Sequence, residues 1–238
     1  MNKFHSPTYV EETRIGFIFL RTHVWQHHVL RVAINDLKKL LPGPLPEKNV
    51  LLDVGCGQGK SFRYLNKHFR PEKIIGIDAD PLSLQLSQKE ADNQGINAEI
   101  KGGDCANIPL DSNSVDIIFC HQTFHHLVEQ EKALAEFFRV LKPGGILMFA
   151  ESTKYYIDTW VIRWFFRHPM HVQKSADEYL AMLKKQGFQF DASNVSYPYL
   201  WWSRAKDFGL LERLRIKSPP PVGIREETLI NVVVQKPV

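Results

Sequence analysis

Apolar residues in this chain come in short runs separated by amphipathic stretches. Val50 to Val54, Lys73 to Ile77, Ala98 to Lys101, Val115 to Cys120 and Ile146 to Ala150 are apolar or alternating runs that end in turn residues, and they read as buried strands. Between them, Ser61 to Phe69, Pro81 to about Gln94 and Glu129 to Leu141 carry helical spacing. Asp80-Pro81 starts one helix and Gly95 ends it, while Pro143-Gly144-Gly145 closes another. Strand and helix in alternation predict a mostly parallel sheet with helices on its faces. Phe188 to Val195 reads as a sixth strand and Leu229 to Gln235 as a last one.

Upstream, residues 1–13 are polar and read as loose or extended. Arg14 to Leu41 reads as a helical segment with Phe17, Leu20, Val24, Leu30, Ile34, Leu37 and Leu41 near one face, stopped by Pro42-Gly43-Pro44. Residues 1–48 are therefore expected as an N-terminal helical lid segment, and 49–238 as the main domain. Two insertions interrupt that domain, at about 152–174 and 197–227. The first carries Tyr155, Tyr156, Trp160, Trp164, Phe165 and Phe166; the second carries Tyr197, Tyr199, Trp201 and Trp202. Between them Ser175 to Glu178 has the form of a capping box for a helix that Gly187 ends.

The most informative stretch is Leu51-Leu52-Asp53-Val54-Gly55-Cys56-Gly57-Gln58-Gly59-Lys60. A buried strand, a tight glycine turn and a helix start bring bare backbone and free N–H groups to a ligand. The turn is Gly-x-Gly-x-Gly, unlike the Gly-x-Gly-x-x-Gly of pyrophosphate-binding dinucleotide sites, and it lacks the ending of a phosphate-binding P-loop. A second strand ends in Asp78, where an acid would hold a ribose diol. Taken with Gly76-Ile77-Asp78-Ala79-Asp80, Gly103-Asp104-Cys105 and Leu141-Lys142-Pro143-Gly144-Gly145, in this order and spacing, the stretch resembles the class I S-adenosylmethionine-dependent methyltransferases. More narrowly it resembles their small-molecule branch, which includes quinone, sterol and phosphobase methyltransferases. The match covers about residues 49–150.

This resemblance implies a Rossmann-like α/β fold: a seven-stranded, mostly parallel sheet with an antiparallel last strand, helices on both faces and aromatic lid insertions. It implies S-adenosylmethionine as cofactor, with S-adenosylhomocysteine as product. Asp53, Gly55, Cys56 and Gly57 are then expected against its methionine and ribose parts. Asp78 would accept both ribose hydroxyls and Ala79 would flank the adenine. Asp104 would accept from the adenine amino group beside Cys105, and His121 would line the methionine side. Asp116, at the far end of the sheet, is assigned to structure.

Transfer from a sulfonium is an in-line displacement, so alignment carries much of the catalysis, and a base is needed only when the acceptor starts protonated. The stretch His121-Gln122-Thr123-Phe124-His125-His126-Leu127 follows strand four, where open α/β sheets place their sites. It departs from the Asn/Asp-Pro-Pro-Tyr/Phe motif of enzymes that methylate nucleic acid amines, and resembles the His-His-Leu ending of the small-molecule branch. His126 is the first candidate base and His125 the second; the competing reading is that each packs the loop. His23 with His27 and His121 with His125 have helical spacing, but no carboxylate accompanies them as in His-Glu-x-x-His, and no metal is expected. Trp160, Trp164, Trp201 and Trp202 are candidate substrate-binding residues for an apolar or aromatic acceptor, with ordinary packing or a dimer contact as the alternative.

Charge and composition change this picture little. The chain has 238 residues, 44% hydrophobic, with a formal net charge of +4, enough for one α/β domain with decorations. Without a Lys/Arg-rich run, a nucleic acid partner is not expected. Cys56, Cys105 and Cys120 have no metal-like spacing and read as reduced thiols, which suits a cytoplasmic protein. There is no signal-peptide pattern and no apolar run of membrane-spanning length. The expected activity is methyl transfer to a small molecule by a protein for which a homodimer is compatible. The alternatives are an RNA or protein methyltransferase and a non-catalytic scaffold that keeps the cofactor.

Overall fold

A computed structural model describes residues 9–10, 12–204 and 209–238. The expectation of a loose start therefore falls largely on residues outside the described ones. The expected sheet is present. Its strands are β1 (Val50–Val54), β2 (Lys73–Asp78), β3 (Ala98–Gly102), β4 (Val115–His121), β5 (Leu141–Ser152), β6 (Val195–Ser196) and β7 (Leu229–Gln235). They lie in the order β3-β2-β1-β4-β5-β7-β6, with β1 to β5 parallel and β7 antiparallel to both its neighbours. Strand order reverses between β1 and β4, so the carboxyl ends of β1, β2 and β4 border the crevice where doubly wound sheets bind ligands.

Ten helices accompany the sheet among the described residues: α1 (Arg14–Phe19), α2 (His23–Trp25), α3 (Arg31–Lys39), α4 (Phe62–Phe69), α5 (Pro81–Gln94), α6 (Gln130–Val140), α7 (Lys154–Ile157), α8 (Trp160–Phe165), α9 (Ala176–Gln186) and α10 (Leu210–Arg213). One sheet face is covered by α3 and α4, whose Ile34, Leu37, Phe62 and Leu65 are fully buried against Leu51, Ile117, Phe119 and Met148. The other is covered by α6 and α9, through Leu134, Phe137, Tyr179 and Leu183. The caps read from sequence hold. Asp80 accepts the Ser83 N–H at 2.8 Å, Gly95 is left-handed, and Ser175 and Glu178 close a reciprocal capping box.

Three expectations need correction. The segment from Arg14 to Leu41 is not one helix. Thr22 is extended and accepts the Trp25 N–H, so it restarts the chain as an N-cap, and Gln26–Leu30 then forms a π-helical stretch that leads into α3. The sixth strand is only Val195–Ser196, because Asp191 caps a 3-10 turn at Ala192–Asn194 and leaves Gln189 a single bridge to Gln235. The Pro143-Gly144-Gly145 stretch does not merely close a helix. It lies within β5, which starts at Leu141 and shifts register against β4 between Val115 and Ile117.

Candidate functional site at the carboxyl ends of the strands

The turn after β1 is built from conformations that only glycine takes without strain. Gly55 and Gly57 have φ of +67° and +53°. A Cβ on Gly55 would lie 2.3 Å from the Thr123 side chain, so the turn and the loop after β4 are in direct contact. At Gly57 a Cβ would meet nothing within 4 Å, and the backbone there faces open space. Asp78, at the tip of β2, closes the turn from the far side. Its Oδ2 accepts the Gly57 N–H at 2.8 Å and its Oδ1 accepts the Asp80 N–H at 2.9 Å. Each oxygen keeps a lone pair, so the carboxylate can still take two hydroxyl donors. Burial pushes its acidity down, raising the pKa. Ala79 follows directly, between the Asp78 and Asp80 carboxylates.

Asp53 is only 2% exposed and accepts the Ser61 hydroxyl in a short hydrogen bond. Burial first, and then the nearby Asp78 charge, raise its pKa to about 7. Asp104 accepts the Ala106 N–H at 2.8 Å, so it shapes its own turn, and Cys105 beside it is buried with its thiol pushed far up by desolvation. Cys56 is likewise buried and protonated. His121 stacks on Phe119 and lies under Trp25, both at 5.7 Å between ring centres. It is held neutral by burial, with a pKa lowered to about 4, and its Nε2 is buried without a partner.

The N-terminal segment packs against the glycine turn and the end of β4. Gln58 donates to the Phe17 carbonyl at 3.0 Å, and Trp25 covers His121. The cleft of about 390 Å³ lined by Pro44, Asp116, Lys142 and Gln235 lies at the opposite end of the sheet. There Asp116 accepts the Val50 N–H and pairs with Lys142, in keeping with a structural role.

His125 and His126 sit in a 3-10 turn after β4, and sequence reasoning missed what surrounds them. Glu151, at the end of β5, is fully buried. Its Oε1 accepts the Thr123 and Phe124 N–H groups at 2.9 and 2.8 Å, and its Oε2 lies 2.6 Å from His125 Nδ1. The carboxylate acts as an acceptor throughout, which assigns a proton to Nδ1. His168, from the first insertion, packs its ring 5.1 Å from His125 and 4.6 Å from His126. Burial lowers the pKa of His126 well below the usual value and that of His168 to about 2. The His121 and His125 pair does not form, because His121 points to Phe119 and His125 to Glu151. His23 and His27 do stack, at 5.9 Å. A glutamate directly after the apolar run of β5 could have flagged Glu151; nothing in the sequence flags His168.

The four tryptophans do not gather into one closed pocket. Trp160 and Trp164 meet edge to face on α8 and are 59% and 78% exposed. Trp201 packs on His28, and Trp202 donates to the His28 carbonyl while its ring meets Tyr156. Trp160 and Trp202 share only a narrow crevice with Tyr156 and Arg204.

Comparison with known proteins agrees with this architecture. The family described as "Methyltransferase domain" matches residues 52–149. The chain is 35% identical over 101 residues to the phthiotriol/phenolphthiotriol dimycocerosates methyltransferase of Mycobacterium leprae, a match that covers 42% of this chain and only 37% of that protein. Among solved structures, an S-adenosylmethionine-dependent methyltransferase from Aquifex aeolicus is 22% identical, covering 92% of this chain and 96% of that one, with a TM-score of 0.63. The [4+2]-cyclase SpnF is 21% identical, covering 87% and 81%, with a TM-score of 0.64. One architecture thus hosts more than one chemistry, and the site must carry the functional argument. From β1 into β5, residues 52–149 thus match a methyltransferase domain, and the chain spans well under half the length of the curated relative it matches.

Proposed function

We propose that the chain transfers a methyl group from S-adenosylmethionine to a small apolar molecule. The observation that carries the reading is the set of acids around an open glycine turn. Asp53 and Asp78 repel one another, and Asp78 has unused lone pairs beside a Gly57 that leaves room for a ligand. A ligand with a cationic amino acid part and a ribose diol relieves the first and fills the second. The unpartnered His121 Nε2 supplies one more polar contact on the same rim. These residues fit S-adenosylmethionine, which when bound supplies an electrophilic methyl on a sulfonium.

The protein's own part is alignment and exclusion of water by the segment that carries Phe17 and Trp25. For an acceptor that starts protonated, His126 remains the first candidate base and His125 the second, with Glu151 fixing the His125 tautomer. An apolar acceptor is supported by the exposed Trp160, Trp164 and Trp201 and by the phthiotriol/phenolphthiotriol dimycocerosates in the name of the mycobacterial relative. Calorimetry with S-adenosylmethionine, S-adenosylhomocysteine and NAD tests the cofactor. A screen with methyl-labelled cofactor against lipid extracts, RNA and protein pools tests the acceptor. Label appearing only in RNA or protein would overturn the small-molecule reading, and preference for NAD would overturn the reading as a whole.

A further inference from the structure

The loop after β4, the first insertion and the chain just before α1 meet at one point. His125, His126 and His168 each bring one ring nitrogen there, all within 4.8 Å of one another. The Glu12 carboxylate lies beside His126, with Oε2 3.9 Å from its Nε2. Glu12 is itself fixed: its Oε1 accepts the Thr13 N–H at 2.6 Å, and the backbone of Arg167 also donates to it. His126 Nδ1 is buried with no hydrogen-bond partner. The rings pack at 4.4 to 5.1 Å between centres, and no hydrogen bond joins one to another among the described residues. A buried imidazole nitrogen without a partner, such as His126 Nδ1, is costly unless something accepts its lone pair.

We propose that His125, His126 and His168 bind a divalent transition-metal ion of the zinc class. Three imidazoles are a donor set for zinc, iron, nickel or copper rather than for magnesium or calcium, which take oxygen. Ligands about 2.0–2.1 Å from zinc at tetrahedral angles lie about 3.3 Å apart, so small side-chain rotations close the site. Behind it, Glu151 holds His125 Nδ1, the carboxylate-histidine arrangement that orients metal ligands. The inference does not depend on methyl transfer. A ring nitrogen that holds the ion cannot also take a proton, so in the loaded protein these histidines act as ligands and not as bases. The ion would pin the 166–173 stretch to the loop after β4.

The test uses the full chain stripped with a chelator and titrated with Co²⁺, with Zn²⁺ as competitor. One ion per chain and the visible bands of four-coordinate cobalt are expected. His168→Ala should weaken binding by more than about 100-fold, since even loss of a partner behind a ligand costs about 10–100-fold, the loss expected for Glu151→Gln. Imidazole nitrogen NMR of the wild-type protein reads the site without any substitution, and Zn²⁺ should move the signals of three histidines. Binding below one ion per chain, undiminished binding in His168→Ala, or shifts confined to other histidines such as His23 and His27 would each overturn the assignment.

Discussion

Gln58, in the middle of the glycine turn, donates its side-chain amide to the carbonyl of Phe17, a bond of 3.0 Å between positions 41 residues apart. The glycine turn and α1 are therefore tied by one hydrogen bond from a side chain that is only 5% exposed. Gln58→Ala removes the donor and leaves the glycine backbone untouched. Amide exchange over residues 14–25 should then quicken, while α4 and α5 keep their protection. Equal exchange in variant and wild type would show that packing of Trp25, not this bond, holds the segment.

Asp78 serves the turn and the expected ligand at once. Asp78→Ala should lose two hydrogen bonds to ribose, each on the order of 1.5–3 kcal/mol when an ionised group takes part. It also strips the Gly57 N–H of its acceptor. Asp78→Asn keeps one carbonyl oxygen for that N–H and should retain the turn while still losing affinity. Calorimetry on both variants separates the two roles.

Asp53 sets a pH dependence. Its folded-state pKa is about 7 against an ordinary 3.8, so between these values the native state holds a proton that the unfolded chain has released. Stability from this group is thus greatest at acid pH, falls as pH rises from 4 to 7, and stays low above. A displacement of that size corresponds to something on the order of 4 kcal/mol. Asp53→Asn should remove the fall and melt higher than wild type at pH 8. A cationic ligand beside Asp53 should lower its pKa again, so binding at pH 7 should release protons, which calorimetry in buffers of different ionisation heat will detect.

Glu151 is fully buried and organises the loop that carries both candidate histidines. Glu151→Ala leaves two buried N–H groups without acceptors, at about 1–3 kcal/mol each. Glu151→Gln retains an oxygen for them but replaces the acceptor at His125 Nδ1. Thermal melts should therefore rank wild type above Gln and Gln above Ala, with a folded Gln variant in which the His125 imidazole signals change.

Much of this fold could be read from the chain because its signals are local. Strand runs, the acids at their tips, Asp80-Pro81 and the Ser175 to Glu178 box all act within a few residues. What escaped depends on distance. Thr22 breaks the N-terminal helix because an N-cap outcompeted a continuous apolar face. The sixth strand is short because Asp191 found partners in its own turn. His168 meets His125 only after the first insertion folds back, and no periodicity encodes that meeting.

The position of β7 has a consequence for how the protein is made. This strand enters between β5 and β6 and pairs along Ile146 to Ser152. While a ribosome is still extending the chain toward residue 229, the edge of β5 has no partner and its apolar side chains stay accessible. The domain cannot complete its sheet step by step as synthesis proceeds; it must wait for residues 229–235 to emerge. During that interval the nascent chain presents an open β edge to chaperones and to other copies of itself.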